Sequence, residues 1–210
     1  MTETSSVDVD TQIDAVTRRV EMPGGDLRVA TVSQRYPTTV EDLWDACTNA
    51  ERIARWFLPV SGDLRLGGQY AIEGNASGTI ESCDPPKSFG ATWEYGDQVS
   101  WITVTVAPDG DGARFTLEHR AHASDEQWAE FGPGAVGVGW DGALLGLANH
   151  MLDPAAEVPL DGAAWMTTPE AKHFYTASSE RWGEANVEAG TPREQAEAAA
   201  ARTTAAYTGG

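Results

Sequence analysis

Pro133-Gly134-Ala135-Val136-Gly137-Val138-Gly139-Trp140-Asp141-Gly142-Ala143-Leu144-Leu145-Gly146-Leu147-Ala148-Asn149-His150-Met151-Leu152 reads as one long helix behind a Gly/Pro-rich entry. At about 100° per residue, Val136, Trp140, Leu144, Leu145, Leu147, Ala148, Met151 and Leu152 cover roughly half the circumference. A surface helix shows a narrower stripe, so this one is expected to be covered on more than one side. One acid, Asp141, points into the apolar arc beside Leu144, Leu145 and Ala148, and the Gly142/Gly146 edge lets another backbone come close. The expected arrangement is a helix laid across a curved sheet, closing a pocket.

The rest of the chain supplies that sheet. Leu27 to Tyr36 alternates as a first strand, and Pro37 stops it. Thr38 or Thr39 then caps a helix over Val40 to Cys47, with acids in its first turn where the helix dipole favours them. A second short helix follows from Thr48 or Asn49, carrying Ile53, Trp56 and Phe57, and ends at Pro59. From Gly62 the pattern becomes a strand meander: Leu64 to Tyr70, where a turn at Gly67-Gly68 leads one strand into another through Ile72, then Gly78 to Cys83, Phe89 to Tyr95, Val99 to Val106 and Ala113 to Ala121. Phe89, Ala91, Trp93 and Tyr95 share one face of their strand. Val99 to Val106 carries apolar residues on both parities, with Trp101 set against Ile102, Val104 and Val106, so its inward face stays open. Thr168-Pro169 opens a helix to about Ala189, and an Ala/Glu-rich helix follows Pro192.

Composition narrows the function. With 14 basic and 32 acidic residues the formal net charge is −18, which argues against nucleic acid and anionic membranes as partners. The 2 cysteines, Cys47 and Cys83, make no disulfide framework and predict a reducing, cytoplasmic setting. The N-terminus has neither a basic nor an apolar signal region, and no apolar run reaches membrane-spanning length. The 8 tryptophans suit a large aromatic core or a lined cavity.

Chemical motifs are weak. Gly137-Val138-Gly139-Trp140-Asp141-Gly142 matches the dinucleotide fingerprint, yet no strand precedes it and no βαβ unit follows. His119 and His122 are three apart on a strand and so point to opposite faces, which argues against a shared metal. No nucleophile elbow or credible cysteine–base pair is present, and neither a catalytic group, a metal nor a cofactor is assigned. Asp141 is the sharpest observation, because an unpaired buried carboxylate costs several kcal/mol. Either backbone N–H groups or an arginine such as Arg55 satisfies it, or it faces the pocket as a hydrogen-bonding or acid/base group near His119 or Tyr70. Trp93, Trp101, Phe115 and Trp140 either line a cavity or fill a core.

Several segments together carry a family resemblance. They are Arg35-Tyr36-Pro37 through Trp44, the Arg55-Trp56-Phe57 segment, Leu66-Gly67-Gly68-Gln69-Tyr70, Ser82-Cys83-Asp84-Pro85-Pro86-Lys87 ahead of Phe89 and Trp93, Gly112 through His119, and Gly139-Trp140. In this order the chain resembles the START-related helix-grip (SRPBCC) superfamily, and within it the homologues of the heat-shock-protein ATPase activator. The resemblance implies an α+β helix-grip fold: a curved antiparallel sheet of about seven strands wrapped around a long C-terminal helix. Two short helices follow strand 1, and an extra two-helix tail is added. The expected divisions are a polar N-terminal segment (1–25), the helix-grip domain (26–152), a linker (153–167) and a helical C-terminal extension (168–210).

The resemblance also implies a cavity for a small hydrophobic molecule between sheet and helix. Its expected lining is Trp44, Trp56, Tyr70, Ile72, Trp93 and Trp101, with Phe115, Leu117, His119, Trp140, Asp141, Leu144, Leu147 and Met151 completing it. Non-catalytic carriage of that molecule is the first functional reading. A cyclase- or hydrolase-like enzyme using Asp141, His119 and Tyr70 is the second, and modulation of a chaperone ATPase partner the third. The C-terminal helices offer a route to a homodimer, or they pack on the Gly142/Gly146 edge.

Overall fold

Sheet register fixes where the interior lies. The structure is a computed structural model that describes residues 6–154 and 162–209. Its strands are β1 (Thr17–Gly24), β2 (Leu27–Tyr36), β3 (Val60–Gly62), β4 (Gln69–Ile72), β5 (Ser77–Asp84), β6 (Ser88–Tyr95), β7 (Gln98–Asp109) and β8 (Gly112–His122). They form one antiparallel sheet in the order β1-β2-β8-β7-β6-β5-β4-β3. Cross-strand partners must share a face, so the ladder defines rows. One row runs Val32, Leu117, Val104, Phe89, Cys83, and the next runs Ala30, His119, Ile102, Ala91, Ile80. Ile102, Val104 and Val106 are therefore the inward residues of β7, and Trp101 lies on the outer face, edge-on to His122.

The sheet has eight strands where about seven were expected. The strands not expected are β1 and the short β3, while the stretch 64–66, expected as strand ahead of a Gly67-Gly68 turn, belongs to the loop between β3 and β4.

Between β2 and β3 the chain crosses to the far edge of the sheet through two helices. Thr39 accepts from the Asp42 amide to cap α1 (Val40–Thr48), and Asn49 accepts from the Glu51 amide to cap α2 (Ala50–Ile53). After β8, a Ser124/Gln127 capping box starts α3 (Asp125–Phe131). The long helix α4 (Gly134–Leu152) follows, buried on several sides from Val138 to His150. This is the helix-grip arrangement implied by the resemblance, with the sheet around the long helix.

Both ends of the chain are built into the core, which the sequence reading did not foresee. Within residues 1–25, expected as a polar segment, Val9–Ala15 forms a helix (αN) and β1 completes the sheet. Val9, Ile13, Val16 and Val20 join the main core. Of the expected linker, residues 155–161 lie outside the described residues and Gly162–Met166 is a short helix. The extension forms α5 (Pro169–Glu188), capped by Thr168, and α6 (Arg193–Thr208). Phe174, Tyr175 and Trp182 of α5 lie in the same core cluster as Leu43 and Phe115.

This hairpin docks on a different edge of α4 from the Gly142/Gly146 edge expected. A Cβ added at Gly137 would meet the Trp182 ring at 2.2 Å, and one at Gly134 would meet Thr203 at 3.0 Å. Gly146 instead admits the Trp56 carbonyl oxygen, 2.1 Å from where a Cβ would sit, and Gly142 faces open space.

Candidate functional site

A cavity of about 310 Å³ lies between the inner face of the sheet, α1–α2 and α4. The sheet contributes residues of the two rows, among them Val32, Leu117, Val104, Phe89, Ala91 and Ile102. Trp44 and Cys47 project from α1, Trp56 and Phe57 follow α2, and Trp140, Ala143 and Leu144 close the α4 side. Of the lining residues, Leu64, Cys83 and Pro85 are exposed and mark the rim. Among the described residues, the lining contains no Asp, Glu, Lys, Arg or His, although the chain carries a net charge of −18.

Its polar groups are largely occupied by the protein itself. The Tyr70 hydroxyl donates to the Thr92 carbonyl at 2.6 Å, Thr48 Oγ1 to the Trp44 carbonyl at 2.7 Å, and Trp56 Nε1 to the Ala46 carbonyl at 3.0 Å. Burial holds the Cys47 thiol protonated, pushed up to about 12. Burial likewise raises the Tyr70 phenol well above its ordinary range. Neither group is available as a base near neutral pH.

Of the expected lining residues, Trp44, Trp56, Tyr70, Ile72, Trp93, Phe115, Leu117, Trp140 and Leu144 surround the cavity. Five do not. Trp101 is on the outer face of β7. Leu147 and Met151 lie further along α4, where they pack into the main core. Asp141 projects from the opposite side of α4. There it pairs with Arg18 Nε at 2.8 Å and accepts from the Ser178 hydroxyl and, at 3.2 Å, from Trp182 Nε1. Arg55, the arginine expected to satisfy it, donates to the Pro154 carbonyl instead. Desolvation raises the Asp141 carboxyl, and Arg18, Ser178 and Trp182 oppose that rise.

His119 sits one layer behind the wall. Its Nδ1 accepts from Trp140 Nε1 at 2.9 Å, and its Nε2 lies 2.8 Å from Ser100 Oγ. Of Asp141, His119 and Tyr70, only Tyr70 lines the cavity, with its hydroxyl bonded to the Thr92 carbonyl, so these three do not meet there as an acid/base set.

Lining residues that the sequence reading missed include Val32, Phe57, Ile80, Phe89, Ala91 and Val104. The signal for Phe89 and Ala91 was present, since they share the parity of Trp93. Val32 and Val104 needed the register of the neighbouring strands, which a single sequence does not supply.

The family described as activator of Hsp90 ATPase homolog 1-like protein matches residues 37–151, more than half of the chain, and the chain belongs to that family. No curated protein matches the chain. The crystal structure of CalU16 from Micromonospora echinospora is 31% identical over 84% of this chain and 99% of its own, with a TM-score of 0.65. Its solution structure gives 33% identity over 84% and 97%, with a TM-score of 0.64. The crystal structure of MLL2253 from Mesorhizobium loti shares the fold at 22% identity, covering 61% of this chain and 99% of its own with a TM-score of 0.54. The 84% shared with CalU16 exceeds the span 37–151, so that likeness reaches beyond the family segment into the terminal elements.

Proposed function

We propose, from its membership of the activator of Hsp90 ATPase homolog 1-like family, that this protein binds one small, uncharged, largely aromatic molecule in the cavity and releases it unchanged. The observation that carries the reading is the lining: about 310 Å³ walled by residues without a single formal charge. That volume falls at the small end of the range of about 300–1,000 Å³ usual for ligand pockets. Trp44, Trp56, Phe57, Phe89, Trp93 and Trp140 supply ring faces and edges, which suit flat aromatic guests. A charged guest would leave its charge buried and unpaired, at a cost of several kcal/mol. The wall supports binding without conversion, since among the described residues no carboxylate, imidazole or amine lines the cavity.

The test is a fluorescence titration with neutral N-phenyl-1-naphthylamine beside its sulfonated relative 8-anilinonaphthalene-1-sulfonate. The neutral probe is expected to bind at least about ten-fold more tightly. Ala143→Phe, which fills the cavity from α4, is expected to abolish the signal. Equal affinity for the two probes, or an unchanged signal in Ala143→Phe, would overturn the reading.

A further inference from the structure

Trp140 forms the α4 wall of the cavity between three rings. It lies 4.9 Å and 60° from Trp93, 6.3 Å and 25° from Phe57, and 5.8 Å from the His119 ring. Apolar contact alone leaves an indole free to slide against its neighbours, whereas a hydrogen bond at Nε1 fixes its rotation. That nitrogen only donates, so His119 Nδ1 must be the unprotonated acceptor. The imidazole proton then sits on Nε2 and is donated to Ser100 Oγ, and the Ser100 hydroxyl in turn donates to the Trp93 carbonyl at 3.0 Å. One arrangement of protons satisfies every group in the chain, from the wall of the cavity back to the strand that carries Trp93.

We propose that His119, as its neutral Nε2–H tautomer, is a positioning residue that holds Trp140 against Trp93 and so sets the shape of the cavity. It governs which guests fit without touching them. His119 and Ser100 are both buried, and burial lowers the histidine's proton affinity. The nearest neighbours in register, Ala30 on β2 and Ile102 on β7, are apolar. An imidazolium would have no lone pair at Nδ1, so the neutral ring is the one form that keeps Trp140 in place.

The inference rests on the binding reading for its functional meaning, and two substitutions separate the two ends of the ring. In His119→Asn the side-chain oxygen replaces Nδ1 and still accepts from Trp140, while the link to Ser100 is lost. In His119→Gln the amide replaces Nε2 and keeps Ser100, while Trp140 loses its acceptor. The first readout is the Trp140 indole N–H resonance, assigned as the one of 8 indole signals missing in Trp140→Phe. It is expected downfield and slow to exchange in the parent and in His119→Asn, and shifted and exchange-labile in His119→Gln. The second is N-phenyl-1-naphthylamine affinity, expected within about threefold of the parent in His119→Asn and weakened about ten-fold in His119→Gln. A histidine that only fills space would give two variants with the same indole signal and the same affinity, and that result overturns the proposal, as does the reverse order. Should the parent fail to bind the probe, the binding reading falls, and the indole resonance still decides whether His119 holds Trp140.

Discussion

Asp141 shows how one carboxylate organises residues far apart in the chain. Arg18, Asp141, Ser178 and Trp182 come from β1, α4 and α5, and they meet in a buried site where Arg18 also donates to the Ile13 and Val16 carbonyls. Removing one partner of such a pair leaves the other charge buried and alone. Asp141→Asn is therefore expected to lower unfolding stability by about 3–5 kcal/mol, measured as the shift in the denaturant midpoint. Its affinity for N-phenyl-1-naphthylamine is expected to stay at the parent value, because the carboxylate faces away from the cavity. A small stability change with lost affinity would reverse that assignment. The sequence identified Asp141 as a buried acid needing a partner, and it named the wrong arginine. Arg18 lies in a stretch whose polar composition concealed its position, and the contact spans more than a hundred residues.

His119 adds a pH dependence of known sign. Burial lowers its proton affinity from the ordinary 6.5 to about 4. Between those values the unfolded chain binds more protons than the native one, so stability rises with pH. The contribution is fully present above the unfolded value and is lost as pH falls through the window toward the folded one, on the order of 3 kcal/mol in all. His150, lowered by burial and by Arg52 and Arg55, acts in the same direction and cancels when His119→Asn is compared with the parent. Parallel denaturant titrations at about pH 4.5 and about pH 7 are expected to show the parent losing more stability than the variant. Equal losses would show that His119 takes up its proton normally in the fold.

At the scale of the element, the glycines of α4 divide by what approaches them. Alanine in place of glycine inside a helix normally stabilises by about 0.4–1 kcal/mol, since the unfolded chain loses freedom. Gly142 faces open space, so Gly142→Ala is expected to raise the melting temperature by that mechanism. At Gly137 the same methyl would meet the Trp182 ring at 2.2 Å, and Gly137→Ala is expected to cost about 1–3 kcal/mol instead. Thermal melts of the two variants check the pair, and similar shifts would mean that α5 does not seat on this edge of α4. The elements themselves were largely legible. Caps at Thr39, Asn49 and Thr168, alternation in β6 and β8, and the broad apolar arc of α4 all follow local rules that a sequence displays. The short strand β3 and the inward face of β7 were not legible, because pairing with neighbours decides them.

For the whole molecule, the ends depart furthest from the reading of helix-grip domain plus appendages. Val9, Ile13, Val16 and Val20 are spaced to make one apolar side across αN and β1, and the surrounding acids hid that spacing. αN and β1 both pack against α5, far along the chain, so the signal was non-local and weak. The wider match to CalU16, which extends beyond residues 37–151, agrees with ends that belong to the fold. Ending the chain before Thr168 would strip Phe174, Tyr175 and Trp182 from the core and open the Arg18–Asp141 pair to water. Losing one such large core side chain already costs about 3–5 kcal/mol, against a usual total stability of about 5–15 kcal/mol. The shortened chain is therefore expected to lose its cooperative thermal transition and its near-ultraviolet circular dichroism, and to bind N-phenyl-1-naphthylamine without the preference over the sulfonate expected of the parent. If it instead melts in one sharp step and keeps that preference, α5 and α6 are an addition to a self-sufficient domain. In that case the cavity depends on the sheet, α1–α2 and α4 alone.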